Sequence, residues 1–115
     1  MPKITIEPSN RGLFQETGSV VVGAPESAQT VSGGAIATTG FVVPITAASG
    51  GQNGTLDAGT ADGQLIILMN VGSQDIQINA TNFAGSAVDL VAGESVLCVW
   101  DGTNSQWSPT SQTMS

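Results

Sequence analysis

Side chains able to do chemistry are few in this chain and poorly placed for it. There is no His and no Tyr, Cys98 is the single thiol, and the two cations, Lys3 and Arg11, both fall within the first eleven residues. General acid–base and nucleophilic catalysis are thereby reduced to carboxylates and one thiol. Two carboxylates alone can hydrolyse a glycoside, and Asp57 and Asp62 are the candidates. They sit among Gly, Ala and Thr rather than among apolar residues that would raise a carboxyl pKa, so they read as solvated turn residues. Residues 57–63 also lack the alternating oxygen ligands and terminal Glu of a calcium loop. Gly50-Gly51-Gln52-Asn53-Gly54 is glycine-rich, but without a following helix or Lys it is no phosphate cradle. Cys98, alone within an apolar run, reads as a small buried hydrophobe. Trp100 and Trp107 read as a cross-strand pair that locks a hairpin, or as stacking platforms for a sugar or a partner chain. The expectation is a protein that is not an enzyme, with no catalytic residue, metal or cofactor.

Charge narrows the partners. The formal net charge is −7, and after Arg11 there are eight carboxylates (Glu16, Glu26, Asp57, Asp62, Asp75, Asp89, Glu94, Asp101) and no cation. Nucleic-acid binding requires Lys or Arg to displace counterions from phosphates, and an anionic body has no attraction for anionic lipid, so neither partner is expected. Met1-Pro2-Lys3-Ile4 does not open as a secretory leader, and no apolar stretch approaches the length of a membrane span. Charged residues make up only 10% of the chain, where about a quarter is usual for soluble domains. Surface that is neither charged nor strongly polar is often surface that becomes covered.

The elements that must position these residues are short strands. Fifteen glycines, frequent Val, Ile and Thr, and the lack of a long stretch with helical period predict an all-β fold. Residues 63–107 organise it. Gln64-Leu65-Ile66-Ile67-Leu68-Met69-Asn70-Val71 is the long apolar run, bracketed by Gly63 and Gly72; Ile76-Gln77-Ile78-Asn79 alternates; Ser95-Val96-Leu97-Cys98-Val99-Trp100 leads through Asp101-Gly102 into a hairpin. In sequence these read as a β-meander. Phe41-Val42-Val43-Pro44-Ile45-Thr46-Ala47 reads as a strand that Pro44 demotes to an edge or a bulge. Because successive side chains face opposite sides, Leu65, Ile67 and Met69 oppose Ile66 and Leu68, and Leu97 and Val99 oppose Val96, Cys98 and Trp100. Both strands are apolar on both faces, whereas a sandwich covers only one, so the other awaits an arm or a neighbouring subunit. Leu65, Ile67, Met69, Leu97, Val99, Trp100 and Trp107 are accordingly expected in the core or in a subunit interface, and Ile67→Asp or Leu97→Asp should abolish folding or assembly. Residues 1–28, interrupted by Pro and Gly every few positions, read as an extended N-terminal arm, 29–109 as the body and 110–115 as a tail. The whole is expected to be a compact antiparallel β-sandwich, jelly-roll-like, with that arm.

The order Asp62-Gly63-Gln64, apolar strand, Asn70-Val71-Gly72-Ser73, Ile76-Gln77-Ile78, Ala92-Gly93-Glu94-Ser95-Val96-Leu97 and Trp100-Asp101-Gly102-Thr103-Asn104-Ser105-Gln106-Trp107 resembles small β-rich virion proteins of tailed bacteriophages. It covers about residues 29 to 108, and the order of the motifs carries it. The resemblance implies a structural virion protein, a capsid decoration (cement) protein on the outer surface of a phage head. It implies a homotrimer that contacts the major capsid protein and neighbouring decoration trimers. Lys3, Ile4, Ile6, Arg11, Leu13 and Phe14 are the expected capsid contacts of the arm. The chain shows no collagen-like or coiled-coil stalk, which favours decoration over the alternative, a receptor-binding tip of a head or tail fibre whose loops 48–54 and 79–86 contact a host glycan. In either case assembly gathers carboxylates that repel. Self-association is therefore expected to strengthen with ionic strength, measured as the sedimentation-equilibrium constant at low and high salt.

Overall fold

Four of the seven strand pairings are parallel, and this sets the architecture. A computed structural model describes residues 27–110. Its strands are β1 (Gln29–Thr30), β2 (Ala35–Ile36), β3 (Val42–Thr46), β4 (Gln52–Leu56), β5 (Leu65–Asn70), β6 (Ile76–Ile78), β7 (Val88–Leu90), β8 (Ser95–Asp101) and β9 (Gln106–Pro109). A five-stranded sheet has the order β1-β3-β5-β8-β9 and a four-stranded sheet the order β2-β4-β6-β7. From β1 to β6 the chain changes sheet at every step, so β1, β3 and β5 stack in parallel in one sheet while β2, β4 and β6 do so in the other. The winding ends in two antiparallel hairpins, β6–β7 and β8–β9, with β8 also antiparallel to β5.

The all-β expectation agrees with this structure, and no helix occurs among the described residues. The meander and the uniformly antiparallel, jelly-roll-like pairing do not. Ile76–Ile78 does not return beside Leu65–Asn70 but crosses to the other sheet, because Ile76 and Ile78 belong to the same buried layer as Leu56 and Leu90. Pro44 is not on an edge: β3 lies between β1 and β5. The carbonyls of Phe41 and Ile45 accept from β5 and its extension, and that of Thr46 accepts from Val31. Alternation therefore turns the nitrogen of Pro44 toward β1, which begins only at Gln29, so little pairing is lost there.

One core joins the two sheets. Val43, Ile45, Ile66, Leu68, Val96, Cys98, Trp100 and Trp107 from the first face Ile36, Leu56, Ile76, Ile78 and Leu90 from the second. Gly63 (φ 86°) and Gly93 (φ 87°) supply left-handed turns ahead of β5 and β8 that a side chain would strain. Asn70, 2% exposed, is the polar member of the inward row of β5. Its Nδ2 donates to the carbonyls of Gln74 (2.7 Å) and Leu90 (2.9 Å), and its Oδ1 accepts from the Gly72 amide (3.1 Å). It thereby ties the crossover after β5 to the end of β7. Asn70→Asp keeps the shape but turns a carboxylate toward two carbonyls, and is expected to cost about 3 kcal/mol or more at neutral pH. The folded-state pKa of that new carboxyl lies above its unfolded value, so the deficit is full above the folded pKa and shrinks as pH falls through it. Urea unfolding of both proteins at about pH 7.5 and about pH 5 measures the two deficits.

Candidate functional site

Outside the core, the two sheets present faces of opposite character. Register places Ala35 beside Thr55, Asn53 beside Gln77 and Gln77 beside Asp89 on the outer face of the four-stranded sheet. Asn79, following β6, donates to Thr55 Oγ1 (2.9 Å) and Asn53 Oδ1 (3.3 Å), knitting a polar surface. The outer face of the five-stranded sheet carries Val42 and Pro44 on β3, Leu65, Ile67 and Met69 on β5, and Leu97 and Val99 on β8. Thr46 ends β3 on the same face, and the flanking strands supply Thr30 on one side and Gln106 and Ser108 on the other. Among the described residues, Asp101, at one corner, is the only charged residue of this face.

Leu65 is 42% exposed; Val42, Ile67, Met69, Leu97 and Val99 are half-buried and Pro44 is buried. Every described strand belongs to one of the two sheets that enclose the core, so none is left over to cover this outer face. The local reason is the two-residue period of the strands: in β5 and β8 apolar residues occupy both parities, where a half-exposed strand alternates with polar ones.

Five of the residues singled out in sequence, Leu65, Ile67, Met69, Leu97 and Val99, are thus brought together on one surface and kept out of the core. Trp100 and Trp107 are separated from them and lie inside. They sit opposite each other across β8–β9 with ring centroids 5.2 Å apart in an edge-to-face arrangement. Trp107 Nε1 donates to the Asp57 carbonyl at 2.8 Å. A Cβ at Gly59 would overlap the Trp100 ring, so the 57–63 loop closes over the pair only because that residue is glycine. Buried in this way, neither ring is a stacking platform. Lys3, Ile4, Ile6, Arg11, Leu13 and Phe14 lie outside the described residues. Val42 and Pro44 were not singled out, since the unbroken apolar run from Phe41 to Ile45 shows no alternation from which a face could be chosen.

Three of the six described carboxylates serve local structure. Asp62 Oδ1 accepts from the Gly102 amide, Glu94 Oε1 from Val91, and Asp101 from Thr103 and from the amide and side chain of Asn104. The Asn104 bonds hold the Asp101 carboxyl below its ordinary range. Burial pushes the Cys98 thiol up to about 12, which leaves it unreactive at neutral pH. Hollows of about 290 Å³ lie beside Gln52, Gln77 and Asp89 and beside Thr38, Asp57 and Gln64. In the one lined by Thr38, Asp57, Thr60 and Gln64, the Gln64 side chain is already bonded to Thr60 and to the Thr38 carbonyl. The loop at 79–86 is tied down, with Asn82 bonded to Leu56, Phe83 buried and bridged to Trp107, and the Ala84 amide donating to Trp107.

No family model and no curated protein matches the chain. Among solved structures, one described as a chaperone-substrate complex is similar over 76% of this chain, at 19% identity and a TM-score of 0.52. That likeness covers 19% of the other chain, so this protein spans about a fifth of it, and what the two share is the fold. A StcE fragment from enterohemorrhagic E. coli is similar over 77% of this chain and 95% of its own, at 15% identity and a TM-score of 0.44.

The two parities of β5 should respond differently to truncation. Leu68→Ala, in the core, is expected to cost about 2–5 kcal/mol, and Ile67→Ala about 1 kcal/mol or less in the isolated subunit. Urea midpoints followed by tryptophan fluorescence at low protein concentration measure both. Ile67 and Leu97 pair on the outer face, so of the two effects expected of Ile67→Asp and Leu97→Asp, loss of folding or of assembly, the position fits assembly, and loss of folding is expected instead of charges at Ile66 and Leu68.

Proposed function

We propose that this chain is a structural virion protein of a tailed bacteriophage, a capsid decoration (cement) protein that forms homotrimers on the outer surface of the head. In this reading it contacts the major capsid protein and neighbouring trimers, and the arm of residues 1–28 anchors it. The observation that carries the reading is the outer face of the five-stranded sheet, apolar at its centre and with a single charge, Asp101, at one corner among the described residues. A protein that works alone gains nothing from such a face, whereas one that works by assembly requires it. The phage head enters through the order of motifs from Asp62 to Trp107, whose residues form the core strands and their turns. The fibre-tip alternative is less well supported, since Trp100, Trp107 and Phe83 are all buried and the loop at 79–86 is bonded to β9.

Docking of an acidic body on a capsid cannot rest on its own carboxylates, which assigns attachment to Ile4, Ile6, Leu13 and Phe14 with Lys3 and Arg11. Each buried apolar side chain contributes on the order of 1.5–3 kcal/mol before ordering costs, and several arms per assembly act together through effective concentration. The full chain is expected to co-sediment with undecorated heads of its phage, and a chain lacking residues 2–16 to stay soluble and remain in the supernatant. Failure of the full chain to pellet overturns the capsid reading. Pelleting of the shortened chain at full stoichiometry moves the docking surface to the body.

A further inference from the structure

We infer that the outer face of the five-stranded sheet is the contact between copies of this chain, centred on Leu65, Ile67, Met69, Leu97 and Val99. The inference deepens the assembly reading above, on which it rests, by assigning this face to another copy and leaving the capsid to other parts of the chain. Its anatomy is that of an interface. Three adjacent strands, β3, β5 and β8, supply an apolar centre, and the flanking β1 and β9 supply an uncharged polar rim of Thr30, Gln106 and Ser108.

Charge selects the occupant. The described residues include six carboxylates and no Lys or Arg, so most orientations of two copies bring like charges together. The opposite face, with Asp89 on it and Asp75 beside it, is such a case. On the apolar face the single charge is Asp101, at a corner and bonded to Thr103 and Asn104. Two copies can meet there without opposing carboxylates across the centre. A cationic partner, by contrast, would be drawn to the carboxylates elsewhere and would find on this face only the corner Asp101, already bonded to Thr103 and Asn104.

The area is close to the lower limit. The five strands, 24 residues in all at about 3.3 Å each and about 4.8 Å apart, make a face of roughly 380 Å² in projection. Counted over two copies this is about 760 Å², under the ~1,000 Å² of a specific interface, so the contact must use the whole face and extend past the strand ends. A single charge at its centre should therefore be decisive.

The test uses the full chain. Wild type is expected to sediment as an oligomer at micromolar concentration. Ile67→Lys and Leu97→Lys should each weaken association at least about thirtyfold, with far-UV circular dichroism and unfolding midpoint kept near those of the wild-type subunit. Gln77→Lys, on the opposite face, should leave the oligomer intact. In parallel, Ile67→Cys is expected to give covalent multimers with a short bismaleimide, while Gln77→Cys and buried Cys98 do not.

A monomeric wild type overturns the inference, as does an oligomer that survives Ile67→Lys and Leu97→Lys or is lost in Gln77→Lys. A full chain that is monomeric but associates once residues 1–26 are removed would give the face to the chain's own N-terminal segment, and also overturns it. Failure to pellet with heads, with the oligomer and its sensitivity to Ile67→Lys intact, removes the capsid reading and leaves this inference standing.

Discussion

Parallel neighbours in a sheet cannot be joined by a tight turn, and the described residues make four parallel pairs without a helix. Each return to the same sheet must therefore pass through another layer, and the layer used is the second sheet. The single core follows directly. Every crossover carries an inward side chain from one sheet to the other, so Ile36, Leu56 and Ile76 are delivered opposite Ile45, Ile66 and Leu68 by the path of the chain itself. Hairpins appear only once the parallel ladders have ended, at β6–β7 and β8–β9.

Such a path leaves turns and crossovers with many backbone groups to satisfy, and the polar side chains answer that demand. Asn70 binds two carbonyls and one amide where the chain leaves β5. Gln29 brackets Ala37, accepting from its amide and donating to its carbonyl, and Gln64 does similar work across Thr60 and Thr38. Asp62, Glu94 and Asp101 each accept from turn amides. Of the two carboxylates that composition offers as candidate chemistry, Asp62 is thus engaged in closing a loop, and Asp57 lends its backbone carbonyl to Thr38 and Trp107.

How much of this was legible depends on the range of the signal. Alternation within one strand is local, so the partition of Leu65–Asn70 and Ser95–Asp101 into two faces could be read from sequence, as could the Trp100–Trp107 hairpin. Pairing is not local. Nothing in Ile76-Gln77-Ile78 says which sheet it joins, and adjacency along the chain favours a meander that the shared core does not adopt. Pro44 misled for a related reason, because a missing donor disqualifies an inner strand only where a neighbour reaches that position, and β1 starts beyond it. For the surface itself, Leu65, Ile67, Met69, Leu97 and Val99 were legible, and Val42 and Pro44 were hidden in a run without period.

The bond from Trp107 to the Asp57 carbonyl spans 50 residues, and Thr38 reaches the same carbonyl from the other direction. Topologies in which remote segments must meet before any contact rewards them fold slowly and tend to separate slowly as well, since no small part can leave without disturbing the rest. A protein of this kind resists loss through persistence, independently of the depth of its equilibrium well. Where a role demands lifetime rather than equilibrium depth, the alternating path of the chain between two sheets would provide it.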